Sequence, residues 1–454
     1  MDVVVVGAGL AGLVSARLLA AEGHQVTLLE AGDRAGGKLF STEVAGVRVD
    51  VGAEAMLNRR PEGVELARAL GLEVEHPALT SSRIWTRGEL RRLPRSLMGV
   101  PLDVDDLVDS GVVSPETVAT VRAEPTLGPV VLEEGQDVSV GDLVAARFGD
   151  EVVDRLVEPL LGGVYAGNSR LLSARAAVPQ LVAFAARGSL LRQAAAVPTT
   201  YDSPVFAGIA GGMGRLAEAL LADVVARGVD VRFGAAASSS GRVEGRWVVD
   251  TEAGETFVGD RVLLAAPAPV QAELLASVAP DAAAALSDIE YAAMAVITLA
   301  VPHDQADGLR AIGSSGFLVP PIEGRRIKAS TFSFAKWEWV RSAGEAAGLT
   351  FLRTSIGRHG EVGVLDADDA TLVQFSLDDL ADATGVRLAP ETVHVQRWEQ
   401  GLPQYAVGHV ERVARIRAAL PVGVQVAGAA YDGVGIPAVV ASAERAVVGM
   451  LQEL

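Results

Sequence analysis

Three glycines, Gly7, Gly9 and Gly12, stand at the spacing G-x-G-x-x-G directly after the apolar run "DVVVV" at 2–6. Each has separate work in a phosphate cradle. Gly7 permits a tight turn, Gly9 lets the backbone approach a diphosphate, and Gly12 lets a helix pack close against a strand. Ala8, Leu10 and Ala11 complete the turn and share its contacts. An anion held there sits at a helix N-terminus, where free N–H groups and the helix dipole favour negative charge. Glu30 ends the next apolar run, "HQVTLLEA" at 24–31, with Ala31 behind it. A carboxylate at that strand tip accepts hydrogen bonds from a ribose diol. The pattern points to a dinucleotide; an ordinary strand–helix turn is the plainer alternative.

The stretch "EAGDRAGGKLFS" adds a second glycine turn with two cations, Arg34 and Lys38, around Gly36 and Gly37. A flavin nucleotide is long and its diphosphate needs several contacts, so this second loop favours FAD over NAD. "DVGAEA" at 50–55 supplies a third Gly-containing turn with Gly52, Ala53, Glu54 and Ala55. A fourth lies at the far end, where Gly433, Val434, Gly435 and Ile436 precede Pro437. Proline suits an early helical position, because no N–H is needed there. One dinucleotide needs one diphosphate cradle, so this last turn must serve another part of the ligand.

These turns need elements to hold them. Strand, helix and strand over residues 2–31 read as a βαβ unit. Helix and strand patterns resume at 206–233, and strand, turn and helix close the sequence after 424. The reading is an α/β protein with α+β inserts. Segments 1–58, 206–272 and 421–454 form a discontinuous Rossmann-like FAD-binding domain. Segments 59–82 and 273–420 form a mixed-sheet substrate domain, and 83–205 a helical inserted domain. The stretch "AAMAVITLAV" at 292–301 is too short to span a bilayer and reads as a buried strand.

Composition narrows the function. The formal charge of −18 argues against nucleic-acid binding through a general basic field. The 454 residues include no cysteine, which excludes disulfides, iron–sulfur ligation and a redox dithiol. The six histidines show no metal-ligand spacing. No secretory leader is legible, so a cytoplasmic protein is expected, with at most peripheral membrane contact.

The opening "GAGLAGL…LLEAGDRAGGK" resembles the flavin-binding start of the FAD amine oxidase and protoporphyrinogen oxidase superfamily. The segments "VEPLLGGVYAGNSRLLSARAAVPQL" (157–181), "GGMGRLAEAL" (211–220), "RWEQGLPQYAVGHVERV" (397–413) and "VAGAAYDGVGIPA" (426–438) are similar to the porphyrinogen oxidases of haem synthesis. That resemblance implies that the last helix points its N-terminus at the pyrimidine end of the isoalloxazine. It places Trp398 near the flavin, with a core tryptophan as the alternative. It puts Ala237 where such proteins usually carry a valine against the adenine. Glu54 is expected near the flavin.

For the substrate, the resemblance implies a porphyrinogen, with molecular oxygen as electron acceptor and hydrogen peroxide as by-product. The stretch "SSRIWTRGELRRLPRS" concentrates Arg83, Arg87, Arg91, Arg92 and Arg95. Guanidinium forks bind carboxylates, as porphyrinogen propionates require. Arg83 matches the position of a propionate-pairing arginine; the other four also read as a solvated face. Four carboxylates favour coproporphyrinogen III over protoporphyrinogen IX, which remains the alternative. A ferrochelatase-type enzyme is a conceivable recipient of product. The rival classes are an amine oxidase or carotenoid desaturase, and a flavin-free chaperone on the same fold.

Overall fold

The computed structural model describes residues 1–133, 135–193, 197, 204–361 and 363–452. The chain opens with β1 (Asp2–Val6), α1 (Leu10–Ala21) and β2 (Gln25–Leu29). The hairpin β3 (Arg83–Thr86) and β4 (Glu89–Arg92) precedes a helical stretch that includes α2 (Glu158–Tyr165). Then come β5 (Asp230–Arg232), β6 (Arg261–Leu264), β7 (Tyr291–Pro302), β8 (Gly316–Leu318), β9 (Ile327–Thr331) and β10 (Leu349–Ile356). After α3 (Asp369–Thr384) and β11 (Thr392–Pro403), the chain closes with α4 (His409–Ala418), β12 (Val424–Val426) and α5 (Ile436–Gln452).

Val3 to Val6 are buried on both faces of β1, as a central strand of a covered parallel sheet requires. That sheet runs β5-β2-β1-β6-β12, parallel throughout. Its order reverses between β1 and β6, which opens a crevice at the carboxyl ends of those strands. On one face Leu13 and Leu19 of α1 share a core with Leu216, Leu220, Val440 and Met450. On the other, Val4, Val6 and Leu264 pack against Trp247, Leu275 and Leu286.

The second sheet runs β11-β7-β10-β9-β8-β3-β4, antiparallel except where β8 meets β3. Its strands alternate between two cores. Trp85, Phe317, Leu299 and Leu352 meet α3 through Leu372 and Leu380. Ile84, on the opposite face, joins the core of the helical layer with Phe148, Leu156 and Leu161. Within that layer Glu124 and Arg147 form a buried ion pair, 2.5 Å at its closest. Ser189 Oγ and the N–H groups of Leu190 and Leu191 also donate to the Glu124 carboxylate.

The α/β architecture is the one read from the sequence, with two adjustments. Residues 83–92 are the edge hairpin of the large sheet, not part of the helical insert, because Ile84 and Trp85 each bury into a core on their own face. In the segment 59–82, the helix Pro61–Ala69 puts Val64 and Ala67 into the core shared by α1 and α5. Val74–Glu75 pairs with the strand Phe206–Ile209. Within the last stretch of the insert, which was expected to end at 205, residues 198–203 lie outside the described residues. Among the described residues no helix is long and apolar enough to cross a membrane. No cluster of potential metal ligands forms among them either.

Candidate functional site

A cavity of about 530 Å³ opens at the switch point of the parallel sheet. The β1–α1 turn forms one wall through Gly7, Gly9, Leu10 and Ala11. A Cβ on Gly12 would lie 1.8 Å from the Gly7 carbonyl oxygen, so this close helix–strand approach admits only glycine. At Gly9 no atom lies within 4 Å of a Cβ position, which leaves bare backbone facing the cavity at the start of α1. Glu30 and Ala31 line the cavity beyond the turn. The Glu30 carboxylate accepts the N–H of Ala8 at 2.8 Å and that of Gly32 at 2.9 Å, which fixes it in place with lone pairs to spare.

Gly37, Lys38 and Ala53 continue the lining, and Ala237 stands near Glu252. Burial pushes the Lys38 ammonium down to about 8. No carboxylate pairs with it among the described residues. A desolvated cation without a partner, set in a cavity wall, is suited to an anionic group. The other end of the cavity is apolar: Tyr291, Pro403, Val434, Ile436 and Val439 enclose it. Val434 also packs on the core of the helical layer, so this end adjoins that layer. A flavin dinucleotide fits this lining. A carboxylate is present for ribose hydroxyls, bare backbone and a cation for the diphosphate, and an apolar slot capped by a helix N-terminus for the ring.

Other residues singled out in the sequence stand behind the walls. Arg34 donates to the Gly37 carbonyl at 2.9 Å and lies 3.9 Å over the Phe40 ring, so it braces the second glycine turn. Trp398 Nε1 donates to the Val51 carbonyl at 3.1 Å, and Gly52 packs beneath its ring. Ala55 follows in the same loop, outside the lining. Gly433 and Gly435 shape the turn that presents Val434 and Ile436.

Two expectations are corrected. Glu54 is held by Lys336 and Arg353, at 2.5 and 3.0 Å, and does not line the cavity. Burial favours its neutral form, yet those two cations hold its carboxyl below the ordinary range. It ties the 50–55 loop to Lys336 and, through Arg353, to β10 of the large sheet. Arg83, at the start of β3, also stands outside the cavity lining. Strand alternation puts it on the Trp85 face that packs on α3, while the cavity adjoins the helical layer on the Ile84 face.

The lining missed in the sequence includes Ala235 and Ala236, Ala265 to Pro267 after β6, Tyr291, Pro403, and Gly428 to Ala430 after β12. The dipeptide repeat "APAP" at 266–269, directly after a strand, was the available signal.

Residues 10–451 match the family described as flavin containing amine oxidoreductase. Coproporphyrinogen III oxidase of Mycobacterium tuberculosis (strain H37Rv) is 38% identical over 461 residues, covering 99% of this chain and 97% of that protein. Coproporphyrinogen III oxidase of Bacillus subtilis is 27% identical, over 100% of this chain and 98% of that one. The crystal structure of a protein from Exiguobacterium sp. 255-15, described as a protoporphyrinogen oxidase, superposes with a TM-score of 0.87 at 31% identity. That superposition covers 100% of this chain and 99% of the other. With its cavity lined from both ends of the sequence, the chain belongs to the flavin containing amine oxidoreductase family and is an FAD-dependent oxidoreductase.

Proposed function

We propose that the chain oxidises a porphyrinogen, coproporphyrinogen III in preference to protoporphyrinogen IX, to the corresponding porphyrin. The observation that carries this reading is the full-length 38% identity to a coproporphyrinogen III oxidase. The apolar ring end of the cavity beside the helical layer supports it. FAD, when bound, supplies a two-electron acceptor that molecular oxygen reoxidises. Six hydrogens leave the macrocycle in three rounds, and each round turns one oxygen into one hydrogen peroxide, so electrons and protons balance.

The chain's own residues divide the work. Gly7 to Gly12 and Lys38 take the diphosphate, with Arg34 bracing the loop behind Lys38. Glu30 takes the ribose hydroxyls, and the backbone around Ala237 meets the adenine. Val434 to Ile436 cover the ring's pyrimidine end and exclude water there. Of the five arginines at 83–95, four are engaged: Arg87 with Glu151, Arg91 with Glu89, Arg92 with Asp106, and Arg95 with the Val197 carbonyl. Arg83, the fifth, lies on the face of the large sheet opposite the cavity, so none of the five is assigned to a propionate held there.

The test is anaerobic mixing of the yellow, FAD-loaded protein with each porphyrinogen and with a panel of primary amines. Bleaching of the flavin by coproporphyrinogen III, faster than by protoporphyrinogen IX, is the expected result. Bleaching by an amine alone would overturn the proposal.

A further inference from the structure

The hexapeptide "QYAVGH" at 404–409 leaves β11 and meets the ring-end turn at three points. Tyr405 donates its phenolic hydrogen to the Ala429 carbonyl at 2.6 Å. The Tyr405 hydroxyl oxygen in turn accepts the Gly433 N–H at 2.7 Å. His409 Nε2 lies 3.2 Å from the Tyr431 carbonyl. The Tyr405 and His409 rings stack 4.0 Å apart at 11°, and Tyr405 is 1% exposed. On its other side Tyr405 meets Tyr165, the last residue of α2, at 5.6 Å. Gln404 donates to the Tyr165 carbonyl at 2.8 Å.

The turn held in this way does not hold itself. Gly433 sits at φ +141°, a conformation other residues rarely adopt, and a Cβ there would lie 2.6 Å from that of Ala438. Its neighbours Ala429, Ala430, Val434 and Ile436 line the cavity. One phenol spends its donor and one acceptor lone pair on two backbone groups that would otherwise need new partners. Burial raises the phenol's pKa well above its ordinary value, so the donor hydrogen stays in place at any working pH.

We propose that Tyr405 is a positioning residue that sets the reduction equilibrium of the bound flavin, by clasping residues 429–433 so that the first turn of α5 faces the ring. This rests on the reading that FAD fills the cavity. A helix N-terminus carries partial positive charge and favours the negative charge a reduced flavin gains. That effect fades within one helical turn, so a small displacement of the turn weakens it. His409 hydrogen-bonds the Tyr431 carbonyl, whereas the hydroxyl of Tyr405 alone bonds both Ala429 and Gly433 among the described residues.

The test compares Tyr405→Phe with Tyr165→Phe, each loaded with FAD and titrated photochemically against a redox dye. Tyr405→Phe keeps the ring stack and loses both hydrogen bonds. It is expected to shift the two-electron equilibrium about tenfold toward oxidised flavin, roughly 30 mV, with a moved visible absorption band. Tyr165→Phe is expected to match the wild type, since its hydroxyl makes no hydrogen bond among the described residues. An unchanged potential and spectrum in Tyr405→Phe would overturn the proposal, as would an equal shift in Tyr165→Phe. If Tyr405→Phe yields no flavin-loaded protein, 3-fluorotyrosine encoded at position 405 strengthens the hydroxyl as donor and weakens it as acceptor for the addition of one fluorine: a shifted potential supports the proposal and an unshifted one overturns it. No porphyrinogen enters the measurement. A colourless wild type would refute the FAD reading first, whereas a yellow wild type inert toward porphyrinogens would refute only the substrate reading.

Discussion

Lys38 carries the plainest consequence of a single side chain. Its ammonium is buried without a counter-ion and titrates near 8, against 10.5 for an ordinary lysine. With Lys38 on the diphosphate, as proposed above, the bound anion would pull that pKa back up, so binding would take up a proton wherever the empty site has lost one. FAD affinity is therefore full below pH 8 and falls as pH rises through that value. Quenching of FAD fluorescence across pH 6.5–10 measures it, and Lys38→Met is expected to bind FAD about 10–100-fold more weakly at pH 7, from the loss of a charge-assisted bond. The variant should also lose the alkaline fall; a retained fall would assign it to another group. Lys38 was legible in the sequence because its neighbours are local: glycines on one side and the Glu30 strand tip eight residues earlier. Glu54 was not, because the cations that claim it are Lys336 and Arg353, 282 and 299 positions away.

At the scale of elements, the helical layer depends on charge as much as on apolar packing. Glu124 and Arg147 are 0% and 2% exposed, and Arg147 also donates to the Gly128 and Gly188 carbonyls. Removing one partner strands the other in an apolar core, at a cost of about 3–5 kcal/mol. Glu124→Gln should lower the unfolding free energy by that amount in urea titrations followed by far-UV circular dichroism. A change under about 1 kcal/mol would mean the pair is not buried as described. The same charge-rich sequence hid an element. The hairpin β3–β4 was read into the helical insert because five arginines within 83–95 mask a strand of only four residues. Ile84 and Trp85 carry its alternation, and a two-residue signal is too short to stand against the surrounding charge. The turn–helix starts at Gly9 and Gly435 were plain, because glycine spacing and a following proline are read without knowing any distant partner.

For the whole molecule, the cavity is made from four separated stretches: residues 6–11, 29–53, 235–291 and 403–439. A ligand that bridges all of them binds the folded chain and not the unfolded one. FAD at a hundred times its dissociation constant is therefore expected to add about 2.7 kcal/mol to stability and to raise the midpoint of thermal unfolding with concentration. A midpoint indifferent to FAD, measured by differential scanning calorimetry, would place the flavin elsewhere. The parallel sheet carries a further implication. Its β12 edge and the helix α5 pack against β6 and α1, so elements made early wait for elements made much later. While the ribosome still conceals residues beyond 424, the early Rossmann turn has neither its roof nor its ring contact. Pigmentation would then follow the synthesis of α5, and a nascent chain stalled before α5 emerges would leave the polysome without colour.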